Sequence, residues 1–198
     1  MLSYRPVICF AKRNRHRLAS VAVSLAALTC SALFPRDISG KDLDSLGSAA
    51  ELSGIGRWIN SAPLSVASQK GKVVVLHFWT FGCINCRRNL PYYNKWRKDF
   101  AEDKVQIIGI HTPETAGEAD LDNVATQIKK LGIKYPVAVD NDKATWDAYG
   151  NRFWPSIYLI DKRGQVRHRW DGELEYRNAG GDRILHAKIE ELLSESDK

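Results

Sequence analysis

The stretch VVVLHFWTFGCINCRRNLP, residues 73–91, decides how this 198-residue chain is read. Val73 to Phe78 is an apolar run of strand length, and Cys83-Ile84-Asn85-Cys86 opens a helix-like segment just beyond it. A thiol at such a junction is reactive for a physical reason. The first turn of a helix presents unpaired N–H groups and the positive end of the macrodipole, which stabilise a thiolate and lower its pKa. Arg87 and Arg88 add positive charge directly after the pair. The two-residue spacer keeps both sulfurs on one turn, able to close into a disulfide once one of them has attacked a partner. The pattern points to thiol–disulfide exchange, with Cys83 as nucleophile because it lies nearer the free N–H groups, and Cys86 as resolving thiol.

Working outward, the length suits one well-buried domain. The formal charge of +6 does not indicate a phosphate-binding surface. Of 29 Lys and Arg, Arg5, Lys12, Arg13, Arg15 and Arg17 precede residue 33, where there is no Asp or Glu, leaving 24 against 23 acidic residues. A nucleic-acid partner therefore has little support. The basic run from Lys12 to Arg17 leads into the uncharged LASVAVSLAALTCSALF, residues 18–34. Residues 1–34 thus read as a signal peptide or membrane anchor, since a bilayer span needs about 17–25 apolar residues. Either role places the rest outside the cytoplasm, in the periplasm or on the outer face of the cytoplasmic membrane. Residues 35–54, rich in Ser, Gly, Asp and Ala, read as a flexible linker, and 55–198 as the domain.

Cys9 and Cys30 fall in the leader, so Cys83 and Cys86 are the pair the domain retains. No structural disulfide framework is available, and a bridge across so short a loop would restrict the unfolded chain little. The pair reads as a redox-active disulfide. A structural zinc would need four ligands and there is no second Cys pair, so neither a metal nor a cofactor is expected.

Beyond the CxxC, helix is expected to about Phe100 and strand over Val105 to His111. A second helix, Leu121 to Leu131, places Leu121, Val124, Ala125, Ile128 and Leu131 at helical spacing. Tyr135 to Val139 reads as a strand, Lys143 to Tyr149 as a short helix, Ser156 to Ile160 and Gln165 to Trp170 as a hairpin, and Asp182 to Leu193 as the last helix. Pro91 inside the first helix is expected to kink it.

Phe78-Trp79 before the CxxC and Pro91 after it look like the active-site surroundings of thioredoxin-fold oxidoreductases. Adding Trp58 to Leu64, Ile108 to Glu114, Tyr135 to Ala138, Asp140-Asn141, Thr145-Trp146 and Trp154-Pro155, the chain resembles over residues 55–195 the thioredoxin-like domain of DipZ-type thiol:disulfide interchange proteins, relatives of the TlpA-like and redoxin group. The resemblance implies an α/β thioredoxin fold, a three-layer α/β/α arrangement on a central mixed sheet, with an α/β element inserted between the first βαβ unit and the closing ββα. It implies a cis bond before Pro155, with the backbone of Trp154 left free to pair with an extended substrate. It also implies protein disulfide substrates, a reductase direction and recharging by a CcdA-type membrane electron donor.

Two positions depart from the wider thioredoxin pattern. His77, six residues before Cys83, stands where a buried carboxylate is usual, and is a candidate proton relay with a pKa near neutrality. Gly82 stands in place of a tryptophan and is expected to open the approach to Cys83. Trp79 and Phe81 are candidates for an apolar substrate-facing surface, with core packing the alternative for Trp79, and Glu114 either tunes the pair or is a solvated loop carboxylate. The alternative functions are a thiol peroxidase, from Thr80-x-x-Cys83 although Leu76 replaces the expected proline, and a copper or haem-maturation chaperone holding a soft metal on its thiolates.

Overall fold

The computed structural model describes residues 45–196. Ten regular elements follow one another: β1 Arg57–Ile59, β2 Val73–Trp79, α1 Ile84–Asp99, β3 Val105–His111, α2 Leu121–Lys130, β4 Val137–Val139, α3 Ala144–Ala148, β5 Ser156–Ile160, β6 Val166–Asp171 and α4 Gly181–Ser194. The strands form one mixed sheet in the order β1-β4-β3-β2-β5-β6. β2, β3 and β4 run parallel, while β5 opposes β2, β6 opposes β5, and β1 opposes β4.

Every residue of β2 is buried, because the sheet is covered on both faces. Val73, Val75 and Trp79 point to one face and meet Cys86, Leu90, Tyr93 and Trp96 of α1 and Leu185, Ile189 and Leu192 of α4. Trp96 donates its indole N–H to Asp182 at 2.7 Å, tying the end of α1 to the start of α4. Val74, Leu76 and Phe78 point to the other face, covered by Trp146 of the short α3 and by Ala49, Leu52, Ile55 and Leu64. That outer layer is therefore largely extended chain rather than helix. The inserted element is α2 and β4, which extend the parallel part of the sheet beyond β3 before the chain returns to β5. The sequence pattern did not single out β1, whose three residues are too few to show a period.

One expectation is corrected here. Residues 45–54 are not a free linker: Leu46 N–H donates to the Val166 carbonyl, Val166 N–H to that of Gly47, and Ala49 N–H to that of Gly164. The Glu51 carboxylate accepts from the N–H groups of Val66 and Ala67 at 2.9 and 2.8 Å. A polar, turn-rich composition is as compatible with a pinned edge segment as with a tether, because backbone groups supply most of the bonds. Residues 35–44 and the leader lie outside the described residues. Among those described, no helix is long and apolar enough to cross a membrane.

Candidate active site

The parallel strands β2 and β3 end together at Trp79 and His111, and the loop Thr80-Phe81-Gly82 carries the chain from there into α1. Cys83 is the N-cap of α1, in extended conformation, with its sulfur 3.2 Å from the N–H of Cys86. The sulfur thus takes a donor that helix geometry leaves unpaired, as an Ser or Asp cap would. Cys83 and Cys86 form a disulfide with Cα atoms 5.3 Å apart. Their environments differ: Cys86 is 1 % exposed and lies in the core, whereas Cys83 is only partly buried. An incoming group meets Cys83 first. Arg87 and Arg88 stand exposed on the next residues, Arg88 paired with Glu173 at 3.1 Å. α1 continues through Pro91, which has no N–H to give the Arg87 carbonyl.

β5 opposes β2 from Ser156 and Phe78 onward, which brings the preceding turn beside the CxxC. The Trp154–Pro155 bond is cis. Trp154 stacks on Trp146 with centroids 4.1 Å apart and donates its indole N–H to the Thr112 carbonyl at 3.1 Å. The Pro155 carbonyl accepts from Gly172 N–H, while the backbone N–H and C=O of Trp154 have no backbone partner among the described residues. The third wall is the segment after β6. Asn89 of α1, fully buried, donates to the Gly172 carbonyl at 3.2 Å and accepts from Leu174 N–H at 2.9 Å, binding that segment to the active-site helix.

The carboxylate nearest this loop is one the sequence reading missed. Glu118, 5 % exposed, accepts from the N–H groups of Gly82 at 3.0 Å, Glu114 at 2.8 Å and Thr115 at 2.9 Å. Burial opposes its charge, but these bonds and one from the Thr80 hydroxyl outweigh that and hold its pKa below the usual carboxylate value. Its sequence signal is Thr115-x-x-Glu118, a capping box on a short 3-10 turn. Gly82 is explained by it, since a methyl there would overlap Glu118 Oε1. The glycine makes room for a carboxylate behind the loop, rather than only widening the approach to Cys83. Glu114, the tuning candidate, is exposed and contributes its N–H to Glu118 instead.

Two histidines lie behind the pair. His77 is fully buried on the α1 side, stacked on Tyr93 with centroids 4.0 Å apart, and neither ring nitrogen has a partner among the described residues. Burial drives its pKa down to about 3, not to neutrality, so the imidazole is neutral through the physiological range. Gly109 on β3 completes this packing: a Cβ there would lie 3.0 Å from His77 Nε2 and 3.1 Å from Trp79 Nε1. His111, also buried, stacks on Phe81 and sits 3.3 Å from the Thr80 hydroxyl. Burial lowers its pKa to about 4, partly offset by the charge of Glu118. Trp79 is fully buried and so is a core residue, not part of a substrate-facing surface, while Phe81 is half-buried. Among the described residues, no three His, Cys, Asp or Glu side chains converge as a metal site.

Residues 56–169 match the AhpC/TSA family. The chain is 45% identical over 157 residues to Protein DipZ of Mycobacterium bovis, covering 78% of this chain and 22% of that protein, so it spans about a fifth of the DipZ length. It is 27% identical over 147 residues to the thiol-disulfide oxidoreductase YkuV of Bacillus subtilis, covering 74% of this chain and 95% of that one. Among solved structures, the thioredoxin-like superfamily protein SPOA0173 aligns with a TM-score of 0.68 at 34% identity, covering 76% of this chain and 98% of that one. The fold is accordingly thioredoxin-like. Because the family match spans more than half of the chain and includes both the CxxC and the cis-proline, the protein belongs to the AhpC/TSA family.

Proposed function

We propose that the protein is an extracytoplasmic thiol–disulfide oxidoreductase that reduces disulfides in protein substrates. The observation that carries the reading is the asymmetry of the pair: a partly exposed Cys83 sulfur capping the helix and a buried Cys86 behind it. In the reduced enzyme the Cys83 thiolate attacks one sulfur of a substrate disulfide. A mixed disulfide forms and the other substrate sulfur leaves as a thiolate. Cys86, losing its proton, then attacks Cys83, the enzyme disulfide forms, and the second substrate thiol is released. Trp154, its backbone unpaired beside the cis Pro155, supplies the edge on which an extended substrate would lie. His77 enters this scheme as a neutral packing partner of Tyr93, since a group with a pKa of about 3 is a poor acceptor for the Cys86 proton.

The name of the Bacillus subtilis relative supports exchange chemistry, while the reductase direction and a CcdA-type donor are what the sequence resemblance to DipZ-type domains implies. The basic and apolar leader, residues 1–34, supports export, as a signal peptide or as a membrane anchor. The peroxidase alternative is weakened because the Thr80 hydroxyl, fully buried, is engaged with His111 and Glu118 rather than turned toward solvent.

Insulin reduction by the purified protein tests the chemistry. Cys83→Ser is expected to abolish turnover, and Cys86→Ser to accumulate a mixed disulfide through Cys83; full activity in the Cys83 variant would refute the assignment. The couple's potential tests direction, with a value around −270 mV expected of a reductase and one near −120 mV of a disulfide donor.

A further inference from the structure

Four large apolar side chains stand exposed among the described residues, and three of them lie on the segments that carry the CxxC, the cis-proline and the chain after β6. Ile84, 56 % exposed, lies between the cysteines; Phe153, 61 % exposed, is two residues before Pro155; Tyr176, 58 % exposed, belongs to the segment that Asn89 binds to α1. The fourth, Leu46, sits at the opposite end of the sheet, where its N–H meets Val166. Each of the three has an arginine beside it: Arg87 one turn after Ile84, Arg152 next to Phe153, and Arg177 with its guanidinium 5.1 Å from the Tyr176 ring centroid. None of these three guanidinium groups meets a carboxylate among the described residues, and neither does Arg183 in α4, whereas Arg57, Arg97, Arg163, Arg167 and Arg169 all do. The carboxylates of the third wall are already engaged, Glu173 by Arg88 and Glu175 by the N–H groups of Gly180 and Asp182. Glu114 is an exposed carboxylate on the rim. A shallow depression of about 430 Å3, lined by Ile84, Arg87, Leu90, Pro91 and Leu131, carries the same apolar and basic character along α1 toward the insertion.

Exposed apolar groups paired with uncompensated arginines contribute little to folding, but aromatic and arginine side chains are the ones that binding surfaces favour. We infer that this face selects polypeptide substrates whose disulfide is flanked by apolar and acidic side chains. The substrate backbone would lie along Trp154, its apolar side chains against Ile84, Phe153 or Tyr176, and its carboxylates on the free guanidinium groups. The inference rests on the oxidoreductase reading above and specifies the substrate.

Three probes test it with the reduced protein: a cyclic disulfide peptide flanked by Leu and Glu, the same peptide flanked by Ser and Lys, and hydroxyethyl disulfide, which has neither charge nor side chains. The rate constant for oxidation of the enzyme, kcat/KM in turnover, is expected to favour the acidic apolar peptide by about tenfold, the size that a few solvent-exposed charge pairs supply. Raising the salt should erode that preference. The R152E/R177E variant should lose or invert it while reacting with hydroxyethyl disulfide at an unchanged rate. Equal rates with the two peptides, or a preference that survives the charge reversal, would overturn the inference. Failure of the wild-type protein with all three probes would instead overturn the oxidoreductase reading, and the inference with it.

Discussion

Gly82→Ala isolates the contact between the active-site loop and Glu118. Gly82 does not have a left-handed φ, so alanine there meets no backbone penalty and would ordinarily stabilise by about 0.4–1 kcal/mol through the unfolded chain. The new methyl, however, would overlap Glu118 Oε1 and come within 3.2 Å of Cδ. The carboxylate has to turn, giving up the Gly82 N–H at 3.0 Å and straining its bonds from Glu114 and Thr115. A hydrogen bond to a charged group is worth roughly 1.5–3 kcal/mol, so the net cost should be about 2 kcal/mol. For a domain of this size each kcal/mol lowers Tm by roughly 2–4 °C, giving a fall of about 4–8 °C. The assay is thermal and urea unfolding of the oxidised protein, run as a cycle with Glu118→Ala. In the Glu118→Ala background the collision is gone and Gly82→Ala should be neutral or mildly stabilising. Equal destabilisation in both backgrounds, or none in either, would refute the account of Gly82.

Three other outcomes follow from the same geometry. Glu118→Gln removes a buried negative charge that accepts from Gly82 N–H, the residue before Cys83, so the thiolate should be stabilised and the potential should rise by about 15–30 mV, equivalent to about half to one pKa unit; a lower potential would contradict this. Stability should fall on acidification, because below pH 6.5 the unfolded chain protonates His77 and His111 while the folded one resists until about pH 3 and about pH 4 respectively. At pH 5 each histidine costs about 2 kcal/mol, and unfolding at pH 7 and pH 5 should show a smaller difference in His77→Leu; an unchanged difference would count against it. Asn89→Leu leaves the Gly172 carbonyl and the Leu174 N–H unpaired, for a loss of about 2–5 kcal/mol and faster hydrogen exchange at Leu174, whereas a loss under about 1 kcal/mol would show that solvent or another group replaces the amide.

The fold was legible wherever burial imposes a period. β3 and β5 run from Val105 to His111 and from Ser156 to Ile160, as their apolar runs indicate, and α2 starts at Leu121 with Asp120 as its cap. The place of the cysteine pair between a strand and a helix was legible from the apolar run before it, and the Trp154–Pro155 bond is cis as the resemblance implies, although the residues alone did not decide it. What escaped was long-range. His77 looks like an ordinary titratable residue until Tyr93 and Tyr135 close around it and exclude water. Glu118 sits 35 residues after Cys83 in a stretch of small and polar residues, and only the turn that folds it back reveals its partners. Residues 45–54 misled because their order comes from partners far along the chain, among them backbone bonds to β6 and its turn and hydroxyl bonds from Thr145 and Tyr149, which local composition does not encode.

The insertion is what joins the two halves of the site. Glu118 begins it and binds the loop before Cys83. The next residue, Ala119, gives its carbonyl to Asn141 at 2.8 Å, just beyond β4. The neighbouring Asp140 accepts from the N–H groups of Thr145 and Trp146 at the start of α3 and from the Thr112 hydroxyl at 3.4 Å. Thr112 in turn receives the indole N–H of Trp154, which Trp146 also stacks against. A set of mostly buried polar contacts thus runs from the loop before Cys83, through the residues that flank α2 and β4, to the residue before the cis-proline. In a low-dielectric interior, breaking any one of them leaves a donor or acceptor without water to replace it, so the neighbours on both sides must adjust. A change in the insertion should therefore reach the loop before Cys83 and the Trp154–Pro155 turn together, which makes Glu118 part of the candidate site despite its distance in sequence from both cysteines.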